Sequence, residues 1–164
     1  MRKFKLGLSC IAFIALASFV NAQEISKNAI GLRIGDSDGF GTEVSYQRAL
    51  GDNNRLEVDL GWRSGDNFDG FRLTGVYQWL WNLEGGFNWY AGVGGGIANY
   101  SYDNNFEDFD DDGETFIYAA GQVGIEYNFD FPLLISLDVR PELGFGDFND
   151  DLDFDIALSI RYQF

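Results

Sequence analysis

The chain has 164 residues, with 11 Lys+Arg against 26 Asp+Glu, a formal net charge of −15, one Cys and no His. That length holds one domain. The missing His excludes His-dependent acid–base and nucleophilic catalysis and His-ligated metals, the acidity excludes a nucleic-acid partner, which must bring cations to phosphates, and 16 Phe exclude a disordered acidic chain.

Arg2, Lys3 and Lys5 open the sequence, an apolar run follows from Leu6 to Val20, and Asn21-Ala22 closes it with short side chains. This is the layout of a secretory signal peptide spanning residues 1–22, with cleavage expected between Ala22 and Gln23. The apolar run is short for a membrane-spanning helix. Cys10 lies inside it, too near the start for a lipidation site. Removal of the segment takes three bases and no acid, leaving 8 bases against 26 acids and no Cys for a disulfide.

From residue 23 to 164 the hydrophobic period is two, the period of a strand with distinct faces. Eight runs carry it. Ile30, Leu32 and Ile34 alternate with Arg33 and glycines; Val44 and Tyr46 with Glu43, Ser45 and Gln47; Leu56, Val58, Leu60 and Trp62 with Glu57, Asp59, Gly61 and Arg63. Phe71, Leu73, Tyr77 and Trp79 interleave with Arg72, Thr74 and Gln78, and Phe87, Trp89, Ala91, Val93 and Ile97 with Asn88, Gly92, Gly94 and Gly96. Ile117, Ala119, Val123, Ile125 and Tyr127 interleave with Tyr118, Gln122, Gly124 and Glu126, and Ile135, Leu137, Val139 and Leu143 with Ser136, Asp138, Arg140 and Glu142. In the last run Leu152, Phe154, Ile156, Leu158, Ile160, Tyr162 and Phe164 alternate with Asp153, Asp155, Ala157, Ser159, Arg161 and Gln163. Each run matches the 9–11 residues with which a tilted strand crosses a bilayer.

The links alternate as well. Residues 51–54, 82–86 and 128–132 are short and turn-like, whereas 36–39, 65–70, 101–114 and 146–151 are mostly longer and acidic. Short turns at one end and larger loops at the other suit an up-and-down barrel better than a Greek-key sandwich. A soluble eight-stranded barrel alternates too, with its apolar face inward. Here the polar face carries charges of both signs, which suits a narrow packed lumen. Aromatics also collect at the run ends. Trp79, Trp81, Phe87, Trp89, Tyr127, Phe129, Phe131 and Tyr162 fall at the short-turn end, and Phe40, Trp62, Phe71, Phe145 and Phe154 at the loop end. Two aromatic girdles around an aliphatic band are what a membrane requires. Pro141, inside the seventh run, lacks an amide donor, so a bulge, a bend or an early end to pairing is expected there.

The final segment Ile160-Arg161-Tyr162-Gln163-Phe164 resembles the last strand of Gram-negative outer-membrane barrels, and residues 23–164 resemble the small OmpA/OmpX-like eight-stranded barrels without a periplasmic domain. The resemblance implies an all-β, eight-stranded antiparallel up-and-down transmembrane β-barrel with both ends in the periplasm. It also implies location in the outer membrane after signal cleavage, contact with membrane lipid and lipopolysaccharide, and insertion by a barrel-insertion machinery that reads Ile160, Tyr162 and Phe164.

No catalytic set emerges, because barrel enzymes of this kind rely on a His. Asp153 and Asp155 could form a carboxylate pair, but ion pairing in the lumen is the better expectation. The expected lumen network comprises Arg33, Glu57, Asp59, Arg63, Arg72, Glu126, Asp138, Arg140, Glu142, Asp155 and Arg161, with Arg33, Arg72, Arg140 and Arg161 facing Glu57, Asp59, Glu126 and Asp138 in a closed plug. Gly92, Gly94 and Gly96 would leave space for water or admit neighbouring Arg chains.

The segment 108–113 matches the opening D-x-D-x-D-G of a calcium loop, but Ala119 stands where the closing Glu is required. Asp108, Asp110 and Asp112 therefore offer at most a weak site for a divalent cation such as Ca2+, and no other cofactor is expected. The functional expectation is a non-enzymatic envelope protein with a structural or surface-interaction role. The alternatives are an accessory subunit of a larger outer-membrane complex, with a barrel as its protein partner, or a narrow porin-like channel for ions or small solutes.

Overall fold

A computed structural model describes residues 25–35, 41–65, 68–102, 114–145 and 152–164. Alternating β-formers build eight strands: β1 (Asn28–Ile34), β2 (Thr42–Ala49), β3 (Asn54–Gly65), β4 (Phe68–Glu84), β5 (Phe87–Tyr102), β6 (Glu114–Asn128), β7 (Leu133–Phe145) and β8 (Leu152–Gln163). Each pairs antiparallel with its sequence neighbour, and β1 closes onto β8 from Ala29↔Gln163 to Ile34↔Leu158. Closure gives every strand a neighbour on both sides, so no sheet edge is left to lipid.

The faces are inverted relative to a water-soluble barrel. On β8, Phe154, Ile156, Leu158, Ile160 and Tyr162 are exposed, whereas Asp155, Ala157, Ser159, Arg161 and Gln163 are buried. The same inversion holds on β1, where Ile30, Leu32 and Ile34 are exposed and Arg33 is only 1% exposed. Such a surface is compatible with hydrocarbon and not with water. The molecule is thus an eight-stranded transmembrane barrel.

Three turns close one end. The turn between β4 and β5 is tighter than the expected 82–86 link, because Gly85 adopts φ 58°, a left-handed conformation open to glycine at little cost. Asn82 donates to the carbonyls of Gly85 and Phe87 and to Asn88 Oδ1 across that turn. The pairing shifts register between Asn82 and Glu84, leaving Leu83 as the extra residue.

Two expectations are corrected. The strands run into the loop expected at 65–70: pairing of β3 with β4 continues through Arg63↔Gly70, Ser64↔Asp69 and Gly65↔Phe68, and residues 66 and 67 lie outside those described. Backbone hydrogen bonds do not depend on side-chain polarity, so a polar stretch continues the ladder above an apolar band. Pro141 likewise causes neither a bulge nor an early end. It pairs with Phe154 of β8, and the β6–β7 ladder passes from Ala120↔Glu142 to Val123↔Val139 without a change of register. The missing amide interrupts pairing only locally, beside Gly121, where an added Cβ would lie 3.2 Å from the proline ring.

Glycine on β5 allows close strand packing. A methyl group at Gly94 would fall on the carbonyl oxygen of Gly75 and 2.8 Å from the Cα of Val76, whereas one at Gly75 meets nothing within 4 Å. Gly94→Ala should therefore destabilise the barrel by roughly 1–3 kcal/mol, and Gly75→Ala should be near neutral. The heat-modifiable mobility shift in SDS, followed against temperature, measures both.

The charged lumen as candidate functional site

The inward face of each strand delivers polar side chains to a space that eight strands leave only wide enough for side chains. Glu57 of β3 lies at the centre of the network. It accepts from Gln47 Nε2 of β2 (2.6 Å), Gln122 Nε2 of β6 (3.0 Å), Arg140 Nη2 of β7 (3.1 Å) and Arg161 Nη2 of β8 (2.9 Å). One carboxylate is thus tied to the adjacent strand β2 and to three strands, β6, β7 and β8, that do not pair with β3. Each of these bonds carries charge, which strengthens it.

Arg33 forms a second node, with Glu43 at 3.0 Å, Asp138 at 2.7 Å and Asp155 at 2.5 Å. Arg140 also bridges to Asp59 and lies 3.6 Å from Glu43. Arg161 is completed by Ser45 and Ser136, each 2.9 Å away. Toward the loop end, Arg72 pairs with Glu142, donates to the Tyr118 hydroxyl at 3.0 Å and stacks 4.5 Å over its ring. Toward the short-turn end, Arg55 pairs with Glu126 at 2.6 Å, donates to Gln78 and lies 5.0 Å over the Tyr90 ring.

Of the residues the sequence assigned to the lumen, Arg33, Glu57, Asp59, Arg72, Glu126, Asp138, Arg140, Glu142, Asp155 and Arg161 are all buried inside. Their partners differ from the expected grouping: Glu126 is held by Arg55, and Arg72 by Glu142. The side chain of Arg63 lies outside those described. Ala22, Gln23, Phe40, Asp108, Asp110 and Asp112 also lie outside the described residues, and with them the signal cleavage site and the candidate cation loop. Ile160, Tyr162 and Phe164 are exposed on the outer face at the short-turn end.

Sequence reasoning missed Arg55 and Tyr90 altogether; it placed Glu43, Gln47, Gln78 and Gln122 on the polar face but gave them no part in the network. Arg55 adjoins a turn, and only its parity with Glu57 and Asp59 marks it as inward. Tyr90 shares its parity with Asn88 but reads as one more girdle aromatic.

Asp153 is exposed and accepts from the Phe154 amide, while Asp155 is buried and bound to Arg33, so the two carboxylates lie in different environments. Among the described residues no group of three acidic or sulfur ligands is placed to hold a metal ion.

Outside, Trp81 and Trp89 stack with centroids 4.3 Å apart, and Phe87, Tyr127, Phe129 and Phe131 follow one another at 4.6 to 5.2 Å. Trp62, Phe71, Phe145 and Phe154 are exposed toward the loop end. Two aromatic levels flank a band of Leu, Ile and Val, as a bilayer requires.

No protein-family model and no curated protein sequence matches the chain. Solved structures do. The N-terminal β-barrel domain of Pseudomonas aeruginosa OprF superposes with a TM-score of 0.67 at 15% identity, over 87% of this chain and 100% of that one. Ail, the attachment invasion locus protein of Yersinia pestis, gives 0.57 at 13% identity, over 85% and 97%. Neisserial surface protein A gives 0.56 at 13%, over 84% and 94%. The fold is that of the small OmpA/OmpX-like outer-membrane barrels.

Truncating one partner of a buried ionic network strands the others without compensation, at roughly 3–5 kcal/mol. Glu57→Ala should lower the unfolding free energy in lipid vesicles by that amount, measured by urea titration. The exposed turn variant Asp52→Asn should stay within about 0.5 kcal/mol of the parent.

Proposed function

We propose that this chain is a non-enzymatic integral protein of the Gram-negative outer membrane, with its lumen plugged by the ion-pair network and its acidic loops serving surface contact. The observation that carries the reading is Glu57, which accepts four hydrogen bonds from β2, β6, β7 and β8 across the middle of the barrel. A side chain tied in this way favours a closed lumen. Short turns facing the periplasm and longer loops facing outward are the rule for such barrels. The outer aromatic level would meet lipopolysaccharide, and Ile160, Tyr162 and Phe164 would serve the insertion machinery.

A narrow channel is the second reading. It is favoured by the charge balance of the lumen, where seven buried carboxylates stand against five buried arginines among the described residues. It is also favoured by Glu43 Oε1, Asp59 Oδ1 and Arg140 Nη1, which make no hydrogen bond among the described residues. Planar-bilayer recording separates the two. The plugged barrel should give no steady conductance, and Glu57→Ala with Arg161→Ala should introduce one. A steady cation-selective conductance of the parent protein would replace the first reading with the second.

A further inference from the structure

The cations of this barrel are unevenly placed. Among residues with described side chains, five arginines are buried in the lumen, and the remaining two cations, Lys27 and Arg48, are exposed. Both lie at the short-turn end, Lys27 just before β1 and Arg48 on β2. The Ala49 amide donates to the Lys27 carbonyl at 3.0 Å, and Arg48 donates to Asn28 Oδ1 at 2.7 Å. This is the level of the aromatic girdle, where lipid headgroups begin.

Lys27 also lines an open groove of about 330 Å3 whose other walls include Phe129, Phe131, Phe164, Asn128 and Asp130. That volume is at the small end of ligand sites. Lys27 and Asp130 share the groove without forming an ion pair with each other. One cation, one anion and three aromatic rings therefore surround a single open space. An anion alone would meet Asp130, and an ammonium alone would meet Lys27. A ligand carrying both charges, with an apolar tail to lie along the rings, complements all of them.

We propose that this groove binds the headgroup of a zwitterionic aminophospholipid from the inner leaflet. Lys27 donates to the phosphate diester, Asp130 accepts from the primary ammonium, and the Phe faces add a cation–π contact to that ammonium and cover the start of an acyl chain. A quaternary headgroup has no N–H for Asp130, and a headgroup without an ammonium leaves Asp130 facing phosphate. The site thus selects ethanolamine over choline or glycerol headgroups. It rests on the membrane-embedded reading of the barrel, but not on whether the lumen conducts.

The test is native mass spectrometry of the full barrel in detergent, with phosphatidylethanolamine, phosphatidylcholine and phosphatidylglycerol added in equal amounts. The expected result is retention of one phosphatidylethanolamine in preference to the others. Lys27→Ala should weaken it about fivefold, and Asp130→Asn should abolish the preference over phosphatidylglycerol. Retention of the heat-modifiable shift in both variants keeps a loss of lipid distinct from a loss of the barrel. Equal retention of all three lipids, unaffected by Lys27→Ala, would overturn the proposal. So would a preference for phosphatidylglycerol, or displacement of the lipid by millimolar inorganic phosphate, which would mark a simple anion site.

Discussion

A backbone crossing hydrocarbon must satisfy every amide and carbonyl within itself, and the rest of this structure follows from that constraint. Eight short strands meet it only by closing β1 onto β8. Closure fixes the number of side chains that point inward and leaves them a space too narrow for water to fill freely. Alternation then sends every second residue outward into lipid, where only apolar groups are tolerated. The polar and charged residues are collected inside, where each needs a partner. The ion-pair network is thus a consequence of closure, and it also reinforces closure, since Glu57 and Arg33 join strands that are not adjacent in the sheet.

The glycines show how the interior is filled. An added Cβ at Gly96 would strike the Tyr118 hydroxyl, and one at Gly124 would strike the Tyr90 ring. These positions are seats for tyrosines, whose rings in turn lie beneath Arg72 and Arg55. Gly92 abuts Val76 and Gln78 instead. Of Gly92, Gly94 and Gly96, where the sequence leaves a choice between space for water and room for arginine, Gly96 receives an aromatic ring that supports the arginine, as Gly124 also does.

The architecture was legible because membrane and strand geometry impose a period of two on every segment, and β8 carries it without a break. Pairing partners were not legible. Parity places a side chain inside but says nothing about which of seven other strands it meets, and this is why Glu126 was grouped with four arginines and is held by Arg55. Element ends were also poorly marked. The ladder at Ser64↔Asp69 is made by backbone groups, and polar side chains there look like a loop. Pro141 misled in the opposite sense, because its missing donor costs one local interruption when the opposite neighbour still pairs through Phe154.

Charge is what distinguishes this barrel from a generic one. The segment 23–164 carries 8 bases against 26 acids, and five of those bases are buried in the lumen. Lumen pairing therefore takes up most of the bases, while the links at 101–114 and 146–151 contain several acids and no Lys or Arg. Like charges in water repel over about 8–10 Å at moderate ionic strength, so sequences of that composition disfavour anionic partners and favour cationic ones. Among the described side chains, the two exposed cations lie at the short-turn end, where lipid phosphate is the chemistry at hand. The same scarcity of bases thus gathers cations in the lumen and leaves only Lys27 and Arg48 exposed among the described side chains.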